Sequence, residues 1–166
     1  MDPNAGTGDR TDEWAAMRDS YLRPVADRPT PRGRGVHHFA LISSDVAATI
    51  DFHQGVLGFP LTELFENRDF TGSTHFFFDV GDGNLLAFFD FPGLDLGDYG
   101  EVLGGLHHVA ISVTPEDQQA TRAALADAGV PMFFDEERAC VSGGCVVTLE
   151  FRGIESSGWA KPECVG

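Results

Sequence analysis

The sequence predicts an α+β protein made of two tandem βαβββ modules. Three observations carry this reading. First, "HHFALISSDVAATIDFHQGVLGFP" and "HHVAISVTPEDQQATRAALADAGVP" follow one pattern: His-His, an apolar strand, a polar cap, a helix, then Gly-hydrophobic-Pro. Second, the spacing holds. His38 and His108 lie 70 residues apart (108 − 38), and Gly58 and Gly129 lie 71 apart (129 − 58). One inserted residue near Pro115 accounts for the difference. Third, each copy is followed by short apolar runs separated by turn residues, the pattern of strands.

Residues 1–35 read as an extension, polar at first and then "TDEWAAMRDSYL", a short helix with Thr11 as its N-cap. Trp14, Met17 and Tyr21 share one face of it, expected to pack on the body of the protein. "RPTPRGRG" is a linker. The first module spans 36–103. Phe39 to Ser43 is its first strand, Asp45 caps a helix over about 46–57, and Gly58 suits the position just past the helix end. Leu61–Asn67, His75–Val80 and Leu85–Phe91 are three further strands, the last two joined by the "GDGN" turn. The second module spans 104–153. Its strand runs over Leu106–Val113, and its helix runs from Pro115 to about Ala128. Met132–Phe134, Ala139–Ser142 and Val146–Phe151 follow as strands. Residues 154–166 are a tail without periodicity.

The formal net charge is −15, which disfavours nucleic acid and anionic membranes as partners. No apolar run is long enough to span a bilayer, and the polar N-terminus is no secretory signal. Cys140, Cys145 and Cys164 form an odd set without paired spacing, which predicts a reducing, cytoplasmic setting rather than a disulfide framework. The 14 Phe against 2 Tyr exceed what a core needs, so some rings are expected to line an apolar pocket.

The two repeats, with "VVTLEF" near the end of the second, resemble the vicinal oxygen chelate superfamily over about residues 36–152. Its members include glyoxalases, extradiol dioxygenases, fosfomycin-resistance transferases and bleomycin-binding proteins. The resemblance implies an open barrel with a divalent metal inside, each module forming half of it. Carried over residue by residue, it implies His38, His108 and Glu150 as the ligands. Two imidazoles and a carboxylate suit Fe(II) first, with Mn, Ni, Co or Zn as other possibilities. By strand alternation His37 and His107 fall on the opposite face, where they are expected to contact solvent, the adjacent helix or the residues that support the metal ligands.

The pattern departs from the four-ligand glyoxalase design at Ala87, where a carboxylate ligand would fall. Few basic residues lie in the strands, which disfavours phosphonate and, less strongly, CoA substrates. Phe76, Phe78 and Phe89 are expected to line the substrate site. His53, standing where this helix commonly carries a tyrosine, is expected there too, with His75 as the acid/base. The resulting reading is an Fe(II)-dependent extradiol-type dioxygenase acting with O₂ on a phenolic or otherwise vicinally oxygenated molecule, in a homodimer. The alternatives are a metal-dependent isomerase, epimerase or lyase without O₂, and a metal-free antibiotic-binding protein.

Overall fold

The computed structural model describes residues 9–97, 100, 102–130 and the backbone of 147–151. The chain divides into two compact units at Gly35/Val36. In the first, α1 spans Thr11–Tyr21 and a 3₁₀ turn spans Val25–Asp27. The N-cap is Arg10, without a side-chain capping bond, and not Thr11; Asp9 lies just before it. Asp9 Oδ1 accepts from the Thr11 backbone N–H at 2.9 Å and from the Thr11 hydroxyl at 2.5 Å. No residue of α1 is buried.

The second unit holds a four-stranded sheet of β1 (His38–Ile42), β2 (Leu61–Glu66), β3 (Thr74–Asp79) and β4 (Leu85–Phe89) in the order β1-β4-β3-β2. β2, β3 and β4 form an antiparallel meander, and β1 returns to pair in parallel with β4. Between β1 and β2 runs α2 (Val46–Ile50), capped by Asp45 Oδ1, which accepts from the Ala48 N–H at 3.0 Å. Gly58 takes φ +74° just past the helix end, where a side chain would be strained.

The sheet has two unlike faces because side chains alternate along each strand. Phe76, Phe78, Leu86 and Phe88 form one cluster, each at most 2% exposed, with Leu41, Val46 and Ile50 packed on it. Burying each of these rings stabilises the fold by about 2 kcal/mol. This is the helix side. The opposite side carries His38, Ala40 and Ile42 of β1, Leu85, Ala87 and Phe89 of β4, and His75, Phe77 and Asp79 of β3. Glu63 and Phe65 of β2 complete it, paired with Phe77 and His75 across a register shift at Leu61/Glu63.

The expected single helix over 46–57 is instead α-helical to Ile50 and π-helical over Asp51–Val56. The cause is local. His53 turns its ring Nδ1–H onto the Thr49 carbonyl at 2.8 Å, a side-chain bond to the i−4 acceptor. Further on, the Leu57 N–H reaches the Phe52 carbonyl, five residues back, at 3.0 Å.

The second module supplies β5 (Val109–Val113), α3 (Pro115–Asp127) and β6 (Val147–Phe151), with β5 and β6 antiparallel. Thr114 caps α3 through the Asp117 N–H at 3.1 Å. Gly129 ends it at φ +68°, with the Val130 N–H reaching back to the Leu125 carbonyl at 2.9 Å. Val109, Ile111 and Leu125 pack with Leu57 of the first module into a second core cluster. The expected strands Met132–Phe134 and Ala139–Ser142, and all three cysteines, lie outside the described residues.

Candidate functional site

The helix-free face of the first sheet gathers the chemistry. His38 opens β1, and its ring meets Phe77 edge-on at 5.7 Å between centroids. His75 lies two strands away on the same face, inside an aromatic frame. Its ring stacks on Phe89 at 3.8 Å, tilts against Phe77 at 4.2 Å and meets Phe65 edge-on at 5.3 Å. Its Nε2 is buried and has no hydrogen-bond partner among the described residues.

Burial in this frame pushes the His75 pKa below 6.5. The neighbouring His38 pushes the same way, and Glu63 opposes both. His75, His38 and Glu63 therefore share one electrostatic neighbourhood, and His75 stays neutral at neutral pH.

Two groups of sequence-expected residues lie elsewhere. Phe76 and Phe78 are fully buried on the helix side, so neither reaches the face that holds His75. In an uninterrupted strand only every second residue shares a face, so the partner of His75 is Phe77, not its immediate neighbours. Counting by twos from His75 would have found it. Phe65 was missed because the β2–β3 register cannot be read from composition. Phe89 is on the expected face, against His75.

His53 is also on the helix side, 1% exposed, stacked on Phe78 and tilted against Phe88 at 4.9 Å each. Burial lowers its pKa to about 4, against a smaller opposing effect of the Thr49 bond. It is a neutral core histidine, and no ligand on the opposite face can touch it.

The two histidine doublets correct another expectation. The pleat does not separate their rings. His37 and His38 bring their Nδ1 atoms to 2.8 Å, and His107 and His108 bring theirs to 2.7 Å. His37 precedes β1 and both His107 and His108 precede β5, so strand alternation does not bind the pairs. Beyond His108, β5 turns Val109 and Ile111 into the core and leaves Ala110 and Ser112 exposed. Glu150 pairs with Ala110 across the β5–β6 ladder, and nothing more is described of it.

The donor chemistry fits a divalent first-row metal. The Nδ1 contacts leave Nε2 of His38 and of His108 as the nitrogen not engaged within its doublet. Among the described residues no three His, Cys, Asp or Glu groups come close enough to hold an ion, and the side chain of Glu150 lies outside them. Ala87, fully buried between Ala40 and Phe77, offers no donor.

A cleft of about 960 Å³ lies between the end of the first-module helix and β5–α3, lined by Gly55, Leu57, Val80, Val109 and Thr121 among others. It contains none of the histidines. Size alone does not make a site: the titratable lining of this cleft is Asp82 and Asp117, while His38 and His75 are on the helix-free sheet face.

Residues 35–148 match the family model of the Glyoxalase/Bleomycin resistance protein/Dioxygenase superfamily, and the chain belongs to that superfamily. A proposed dioxygenase from Bacillus subtilis is similar at 26% identity, with a TM-score of 0.49 over 61% of this chain and 33% of that one. The chain thus spans a third of that protein. A glyoxalase family protein from Enterococcus faecalis is similar at 22% identity and TM-score 0.49, over 71% and 98% of the two chains. A mutant of the fosfomycin resistance protein FosX from Listeria monocytogenes, complexed with Mn(II) and dihydroxypropylphosphonic acid, is similar at 19% and 0.41, over 60% and 75%. No curated protein matches the chain. No helix among the described residues is long and apolar enough to cross a membrane.

Proposed function

We propose that this chain is a divalent-metal-dependent enzyme, an extradiol-type dioxygenase that uses Fe(II) and O₂ on a phenolic or vicinally oxygenated apolar molecule. The observation that carries the reading is the juxtaposition of His38 with a neutral His75 framed by Phe65, Phe77 and Phe89. The frame suits a flat aromatic ring. The paired positions of this face carry no Lys or Arg, which disfavours a phosphonate or phosphate substrate.

His38, His108 and Glu150 hold the metal in this reading. Bound there, the metal supplies Lewis acidity toward two adjacent substrate oxygens and redox chemistry toward O₂. Phe65, Phe77 and Phe89 orient the ring and exclude water. His75, kept neutral by burial, is the acid/base in this reading. The site is completed in a homodimer. Ile42 and Phe65, 49% and 44% exposed on the His38 face, supply apolar surface for a second chain to cover.

The test is anaerobic loading with Fe(II), then oxygen-electrode measurement with a panel of catechol-type compounds. The expected result is stoichiometric O₂ uptake with a yellow ring-cleavage product. Binding of metal without O₂ uptake points to the isomerase, epimerase or lyase reading, in which Glu150 or His75 moves a proton. Binding of small molecules without any metal points to the antibiotic-binding reading.

A further inference from the structure

We propose that each histidine doublet is a metal ligand with its own positioning residue. His37 and His107 accept a hydrogen bond at Nδ1 from the Nδ1–H of His38 and His108, fixing the tautomer that presents Nε2 to a metal. This rests on the metal-enzyme reading above and adds two residues to it.

Two ring nitrogens at 2.8 and 2.7 Å are within hydrogen-bond distance. Two lone pairs at that separation repel, and two N–H groups clash, so one proton lies between them. One ring of each doublet is therefore an Nδ1–H tautomer, and the other carries its proton on Nε2. The direction follows from what each ring faces. His38 lies against Phe77 on the face shared with His75, the face where a ligand lone pair is of use. With its proton on Nδ1, its Nε2 is a lone pair. Reversal of the bond would protonate Nε2 and block coordination.

The arrangement is duplicated. Ring centroids are 5.1 Å apart at 80° in the first doublet, and 5.0 Å apart at 78° in the second. The first doublet lies beside β4, where the His37 carbonyl accepts from the Leu85 N–H at 3.0 Å. The second precedes β5, which pairs with β6 instead. Two different surroundings yield one geometry, so the His-His sequence itself sets it. A metal-bound imidazole needs such a partner at its other nitrogen to hold ring and tautomer. Here the partner is the preceding residue.

The direct test is long-range ¹H–¹⁵N correlation NMR on the metal-free chain with neutral rings. His38 and His108 are expected as Nδ1–H tautomers, and His37 and His107 as Nε2–H tautomers. The reverse assignment in the doublets overturns the proposal. A second test is Co(II) titration followed by visible absorption. His37→Leu and His107→Leu remove the acceptor and should weaken Co(II) binding by about 10 to 100-fold with a shifted absorption band. His37→Asn and His107→Asn keep an acceptor oxygen and should recover most of that loss. Leu variants that bind Co(II) as the parent does also overturn the proposal. Failure of the parent chain to take up Co(II) sinks the metal reading, and the tautomer assignment is read independently of it.

Discussion

His75 lies face to face on Phe89, with ring centroids 3.8 Å apart and planes 20° from parallel. β3 and β4 place the two residues directly opposite each other. The stack is a main wall of the frame whose burial keeps His75 neutral. Phe89→Ala opens that wall to water. The His75 pKa, followed by NMR titration, should rise toward 6.5, because burial is the largest cause of its depression. Stability should fall by roughly 2 kcal/mol, less than for a fully buried ring. An unchanged pKa would show that Phe89 does not shield the imidazole.

His53 predicts an acid-sensitive fold. Its pKa is lowered from 6.5 to about 4 in the folded chain. The unfolded chain therefore binds the extra proton first, and the stability present above pH 6.5 is lost as pH falls toward 4. The loss amounts to about 3 kcal/mol. Urea melts at pH 7 and pH 4.5 should differ accordingly, and His53→Phe should flatten that window.

Loss of either proposed imidazole ligand should remove tight metal binding. His38→Ala and His108→Ala are each expected to weaken Mn(II) or Co(II) binding by more than about 100-fold, beyond what an outer partner contributes. Glu150→Gln keeps the shape and loses the charge, and should also weaken binding. Isothermal titration checks all three. Parent-like affinity in any of them removes that residue from the ligand set.

The two helix caps are of ordinary strength. Asp45→Ala and Thr114→Ala each delete a side-chain acceptor at a helix N-terminus. Each should cost about 1 kcal/mol. The denaturant midpoint should drop with an unchanged m-value. A change in m would indicate that more than the cap was lost.

Much of the first module was legible because its signals are local. Asp45, Gly58 and the "GDGN" turn mark element ends by their own chemistry, and the strands fall within two residues of their expected ends. The faces were harder to read. "HFFF" has no polar residue to show which Phe turns which way, and both faces of β3 are apolar. Only the register against α2 and β4 puts Phe77 with His75 and sends Phe76 and Phe78 to the core. The π-helical turn was hidden for another reason. It follows from one side chain taking a backbone carbonyl, which no hydrophobic periodicity records. The close approach of the two rings in each doublet was not legible, because His37, His107 and His108 precede their strands and alternation does not govern them.

The parallel pairing of β1 with β4 has a kinetic side. The β2–β3–β4 meander joins neighbours in the sequence, and such contacts close early in folding. His38 meets Leu85 only after 47 intervening steps of chain (85 − 38). Its loop-closure cost makes β1 the late arrival. The face that frames His75 is thus expected to assemble before His38 docks on it. A slow final phase sensitive to Ala40 and Leu41, and insensitive to Leu64, would be its signature in refolding.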